Sequence, residues 1–135
     1  MPANANLTVV QTAYAAFGRA DIPAVIGCFA ADGSFAIPGD PALFPVRGRF
    51  VGPDGLLRFF QTIGATYQVL DFAPETFDCF ADKVLVHGRE KLRMVGTGRE
   101  MTMNWLHLFT IADGRIASVV EWNDGAALLA AFRGL

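Results

Sequence analysis

The sequence predicts an α+β fold in which N-terminal helices fill the concave side of a curved antiparallel sheet, giving a cone with an internal pocket. Three observations point there. Before Gln68 the apolar residues recur at helical spacing, and from Gln68 onward they alternate. The breaks in the alternating part, "AD", "GTG" and "ADG", are as short as hairpins require. Of the 135 residues 53% are hydrophobic, 12 of them Phe, against 18% charged, so a large aromatic interior has to be enclosed.

The elements follow in order. Leu7 to Arg19 reads as a helix because Val10, Tyr14 and Phe17 fall on one stripe. Asp21 caps a second, short helix with Pro23 in its first turn and Ile22, Ile26 and Phe29 on its apolar side. "ADG" at 31–33 ends it, and "SFAI" follows as a short strand. Residues 38–53, rich in proline and glycine, read as a loop crossing the surface. A third helix starts at Asp54 and turns Leu57, Phe60 and Ile63 inward. Four strands are expected over 68–80, 83–95, 99–111 and 115–123. Pro74 cannot donate to a ladder, which puts the first of these at a sheet edge or on a bulge. A last helix covers 125–133, and no linker or repeat divides the chain, so 1–135 is expected to be a single domain.

Composition narrows the function. The net charge is -2 and no basic stretch stands out, which argues against a nucleic-acid partner. Arg89, Lys91, Arg93 and Arg99 are the nearest approach to one and read as a solvated face. No apolar run approaches a membrane span, and "MPANANLT" lacks the basic and apolar regions of a signal peptide, so a cytoplasmic protein without membrane contact is expected. Cys28 and Cys79 sit among apolar neighbours and read as free thiols. His87 and His107 have no third ligand at a suitable spacing, so no metal is expected, and no cofactor.

On strand 99–111 one face carries Met101, Met103, Trp105, His107 and Phe109, and the other Thr102, Asn104, Leu106 and Leu108. Both are too apolar for water. The first is read as the convex face, buried in a homodimer with His107 as an interface residue, and the second as a pocket wall.

The order "VVQTAYAAFGRADIPAVIGCFAADGSFAIPG", the helix "GPDGLLRFF" and the closing hairpin "LFTIADGRIASVVEW" resemble the nuclear transport factor 2-like superfamily. Within it the chain is most similar to SnoaL-like polyketide cyclases and ketosteroid isomerase-related proteins. The resemblance covers nearly the whole chain and implies a single SnoaL-like domain of the cystatin-like α+β barrel type. At the positions matching the isomerase Tyr and two Asp stand Ala13, Ile37 and Leu106, so that machinery is not implied. Epoxide hydrolase-like members of the superfamily put acids where Glu90 and Asp124 fall, with Gly88 in place of their bridging Arg, and Phe35 and Ile37 in place of their Tyr and Asn. SnoaL-like cyclases also select an acid at the end of the last strand, again Asp124.

These readings give Asp124 and Glu90 as candidate catalytic acids. Asp124 ends a face read as Ser118, Val120, Trp122 and Asp124, where an aromatic wall would raise its pKa; it is equally placed to cap the helix that follows, a task Asn123 could take over. Glu90 alternates onto one face with Gly88, Leu92 and Met94, where burial demands a partner: Arg47, or a proton shared with Asp124. A solvated Glu90 at the pocket mouth is the plain alternative. Trp122, Asn104, Tyr14, Phe35, Phe60, Leu106 and Arg47 complete the expected substrate contacts. Two functions fit: an isomerase, cyclase or hydrolase working by acid–base chemistry on a small apolar carbonyl or polyketide-like compound, or a non-catalytic module that binds a small ligand or dimerises.

Overall fold

A computed structural model describes residues 3–135; Met1 and Pro2, the start of the stretch read above for a signal peptide, lie outside them. The elements run α1 (Ala3–Gly18), α2 (Ile22–Gly27), β1 (Phe29–Ile37), β2 (Gly48–Val51), α3 (Gly52–Thr66), β3 (Tyr67–Phe80), β4 (Lys83–Met94), β5 (Glu100–Ala112), β6 (Arg115–Asn123) and α4 (Gly125–Arg133). The strands form one sheet in the order β2-β1-β6-β5-β4-β3. It is open, with β2 and β3 as edges, so the cone is a curled sheet rather than a closed barrel. β3 to β6 are the antiparallel meander that the alternation predicts. β1, however, lies parallel to β6, which makes the sheet mixed.

Local chemistry explains the helices. Asp21 accepts from the Ala24 N–H at 3.2 Å and Pro23 stands in the first turn of α2. Pro53 and Asp54 open α3, and Gly134 closes α4 in the left-handed region at φ 77°. The inward residues are Val25 in α2, and Leu56 and Phe59 in α3; Leu57 is exposed, a correction to the stripe read from sequence. Phe60 and Ile63 are half-buried beside it.

Two further corrections concern strands. "ADG" does not end an element; β1 runs through it, with a register shift between Phe29 and Ser34. Gly33 makes that possible, because a Cβ there would sit 2.8 Å from the Ile116 carbonyl oxygen. β2 lies inside the proline-rich loop, where Arg49 and Phe50 pair with Ala36 and Phe35. Pro74 is both on an edge strand and beside a register shift, the two outcomes its missing N–H allows.

The basic residues of β4 face solvent, where Arg89 meets Glu75 and Lys91 and Arg93 meet Glu100. Cys28 and Cys79 are free thiols. No helix among the described residues is long and apolar enough to cross a membrane.

Candidate active site

The concave side of the sheet, roofed by the helices, encloses a cavity of about 70 Å³ with a largely aromatic wall that includes Phe17, Phe35, Phe59, Phe60, Phe72 and Phe109. Polar side chains reach it from five elements: Tyr14 of α1, Tyr67 of β3, Glu90 of β4, His107 of β5 and Glu121 of β6.

Three of these are joined. The Tyr14 hydroxyl is 2.7 Å from His107 Nδ1, and His107 Nε2 is 2.7 Å from Glu121 Oε1. A carboxylate only accepts, so Nε2 carries a hydrogen, and in the neutral ring Nδ1 accepts from the Tyr14 O–H. The chain continues outward: Asn123 Nδ2 donates to Glu121 Oε2 at 2.6 Å, and Arg47 Nη2 donates to Asn123 Oδ1 at 2.8 Å. His107 and Glu121 are both buried.

Packing holds the imidazole in place. Trp105 stacks on His107 at 4.1 Å between ring centroids and on Phe72 at 4.9 Å. Its indole overlies Gly88 so closely that any Cβ there would overlap the ring. Gly88 therefore occupies a position where only glycine leaves room for the stack.

The other two polar groups have no hydrogen-bond partner among the described residues. Glu90 is 6% exposed and makes no hydrogen bond or ion pair among the described residues. Burial, and then the charge of Glu121, push its carboxyl up to about 8. Tyr67 is 7% exposed, and its hydroxyl also lacks a protein acceptor among the described residues. Burial first, then Glu90 and Glu121, keep the Tyr67 phenol well above its ordinary value. Burial and Glu121 do the same to Tyr14. Both phenols are therefore protonated throughout the neutral range.

Such a set can take up and return a proton at Glu90 while Tyr67 holds an oxygen that gains charge. Among the described residues no three His, Cys, Asp or Glu are grouped to hold a metal ion.

Of the residues expected at the site, Glu90, Tyr14, Phe35 and Phe60 line this cavity. Asp124 does not. It is exposed, and its carboxylate accepts from the Ala127 N–H at 3.0 Å as the cap of α4. Trp122 and Leu106, at 46% and 39% exposure, face outward, as does Asn104, which meets His87 at 3.2 Å. Arg47 is buried, but beside Asn123 in a separate cleft, so it does not pair with Glu90.

One cause explains the misplaced residues of β6. Ile111 pairs with Ile116 but Thr110 with Ser118, so the strand carries a bulge at Ala117. Inward alternation begun at Ile116 jumps there to Val119 and Glu121, and Trp122 is turned to the outside. On β5 the two faces are reversed: the aromatic side, with Trp105, His107 and Phe109, fills the concavity.

His107 is therefore a cavity residue rather than an interface one. Glu121 and Tyr67 went unselected. The signal available for His107 was the bulk of its face, since a concave surface needs large side chains to fill it. For Tyr67 it was the alternation with Val69, one residue before the expected strand start. The bulge that turns Glu121 inward has no mark in the sequence.

Residues 10–119 match the family described as the SnoaL-like domain. No curated protein matches the chain. Among solved structures, an NTF2-like protein from Burkholderia xenovorans LB400 is 27% identical with a TM-score of 0.86, covering 98% of both chains. An NTF2-like protein of unknown function from Burkholderia pseudomallei K96243 is 23% identical with a TM-score of 0.85, covering 95% of this chain and 97% of that one. TerC, co-crystallised with polyporic acid, is 20% identical with a TM-score of 0.84, covering 96% and 98%. At such identities the last two likenesses show the fold alone.

Proposed function

The chain belongs to the SnoaL-like domain family, and from that premise we propose that its cavity is the active site of an acid–base enzyme acting on a small, largely apolar carbonyl compound of the polyketide type. The observation that carries this reading is that Glu90 and Tyr67, both buried and both without a side-chain hydrogen-bond partner among the described residues, line one apolar cavity. A partnerless buried carboxyl costs stability, and a ligand that uses it accounts for that cost.

The chemistry is a proton shift. The Glu90 carboxylate takes a proton from the carbon next to the carbonyl, and the C–H electron pair moves to form the enolate. Its oxygen gains the charge and accepts from the Tyr67 O–H. Glu90, now protonated, returns the proton at the same or a conjugated carbon as the carbonyl reforms. A carboxyl that titrates near neutrality suits both halves of this exchange.

Deuterium incorporation tests the reading. Small cyclic ketones with unsaturation one bond removed from the carbonyl are incubated in D2O with the protein, and exchange is followed by NMR. Acceleration by the protein, lost by about 10²-fold or more in Glu90→Gln, is expected. No acceleration, or full activity in Glu90→Gln, overturns it. The small aromatic-walled cavity also fits a second reading, a non-catalytic binder of an apolar ligand, which the same experiment supports if ketones bind without exchange.

We propose further that the outer sheet face, with Leu106 exposed on it, joins two copies as a homodimer. Light scattering of the protein and of Leu106→Glu would show a dimer in the first and a monomer in the second.

A further inference from the structure

We propose that a second cleft, between the 38–47 loop, the end of β6 and the start of α4, is a binding site for a small monocarboxylate seated on Arg47. The cleft measures about 260 Å³ and shares only Glu121 with the central cavity, so the proposal stands apart from the reading above.

Arg47 carries the argument. The residue is buried, 7% exposed, and it makes no ion pair among the described residues. Its two hydrogen bonds go to neutral acceptors, the Val46 carbonyl from Nη1 at 3.1 Å and Asn123 Oδ1 from Nη2 at 2.8 Å. Nε has no acceptor among the described residues. A guanidinium has five donors, and a buried one without a counter-ion in contact is costly. Glu121 acts on its charge from across the cleft, but the hydrogen-bonded link between them runs through Asn123.

The surroundings hold this cation in place. Two glycines flank it: a Cβ on Gly39, at φ 141°, would lie 2.5 Å from Arg47 Cδ, and one on Gly125 would lie 3.2 Å from Nη2. The Phe44 ring lies beneath the guanidinium, 5.2 Å from centroid to Cζ. The cleft above is walled by Ile37, Leu43, Trp122 and Leu129, so an apolar body fits behind the charged contact.

The two carboxylates on the same wall limit the charge of the ligand. Glu121 is engaged at both oxygens, by His107 and Asn123, and Asp40 accepts from the Ala42 N–H. A single carboxylate can approach the Arg47 edge, whereas a dianion such as phosphate would meet two negative neighbours. Carboxylate recognition by a planar fork is what arginine does best.

The test is a titration of 15N-labelled protein with acetate, phenylacetate and its neutral isostere phenylacetamide. Phenylacetate should shift the Gly39 and Gly125 amides and the Trp122 indole saturably, about tenfold tighter than phenylacetamide or more. Arg47→Met should abolish that response. Because this buried change can disturb the fold, Leu43→Glu is the second variant. Its side chain is half exposed at the rim, and an added negative charge there should weaken phenylacetate about tenfold more than it weakens phenylacetamide. Equal binding of phenylacetate and phenylacetamide, shifts confined to Phe60 and Ile63 of the central cavity, or no saturable response to either carboxylate overturns the proposal.

Discussion

His107 Nε2 lies 2.7 Å from Glu121 Oε1, and this contact decides which way the Tyr14 proton points. With Nε2 committed as donor to the carboxylate, Nδ1 is left to accept from Tyr14. Glu121→Gln leaves the shape unchanged but removes that commitment, because an amide can also donate. Proton exchange by the cavity is expected to fall about 10-fold to 10²-fold, with both ring tautomers appearing in 15N spectra of His107. A single tautomer at full activity would remove Glu121 from the mechanism.

Glu90 makes stability depend on pH. Its carboxyl titrates at about 8 when folded and near the ordinary 4.5 when unfolded. The folded state holds that proton more tightly, so the contribution is fully present below pH 4.5 and is lost as pH rises toward 8. Across that window the native protein should lose roughly 1 kcal/mol per pH unit from this group. Glu90→Gln should flatten the dependence and melt above the native protein at pH 8, by thermal unfolding at a series of pH values. Parallel curves for the two proteins would contradict the assignment.

Gly88→Ala is expected to be costly despite its size. The new methyl overlaps the Trp105 indole and must displace it from its stacks on His107 and Phe72. Overpacking of this kind costs about 1–3 kcal/mol, and exchange activity should fall with it because the imidazole loses its support. Denaturant unfolding and the indole near-UV signal measure both effects.

Asp124→Ala separates capping from catalysis. The exposed carboxylate serves the Ala127 N–H, so its loss should destabilise by about 1 kcal/mol with no change in exchange rate. A variant of native stability with impaired turnover would reinstate Asp124 at the active site.

What could be read from the chain follows from how local each signal is. Period and turn chemistry placed β4, β6 and α4 within a residue of where they stand, and Pro74 marked its own strand as irregular. Glu90 was legible because β4 alternates without interruption from Val84 to Met94. Glu121 was not, since one extra residue at Ala117 reverses every side chain after it. The faces of β5 are both apolar, so hydrophobicity alone could not orient it; curvature and the packing of Trp105 over Gly88 do that, and both are tertiary. The parallel pairing of β1 with β6 likewise has no local trace.

That pairing sets the order of assembly. Phe29 meets Ile116 and Ser34 meets Ser118, partners more than eighty residues apart, whereas β3 to β6 zip through hairpins between neighbours. Closing so long a loop has an entropy cost before its contacts can reward it, so the meander should form early and β1 should dock last. Only that late docking brings Phe35 against His107. A nascent chain therefore has no enclosed cavity until β6 is available, and a chain cut before Arg115 would lack both Glu121 and the strand on which β1 docks.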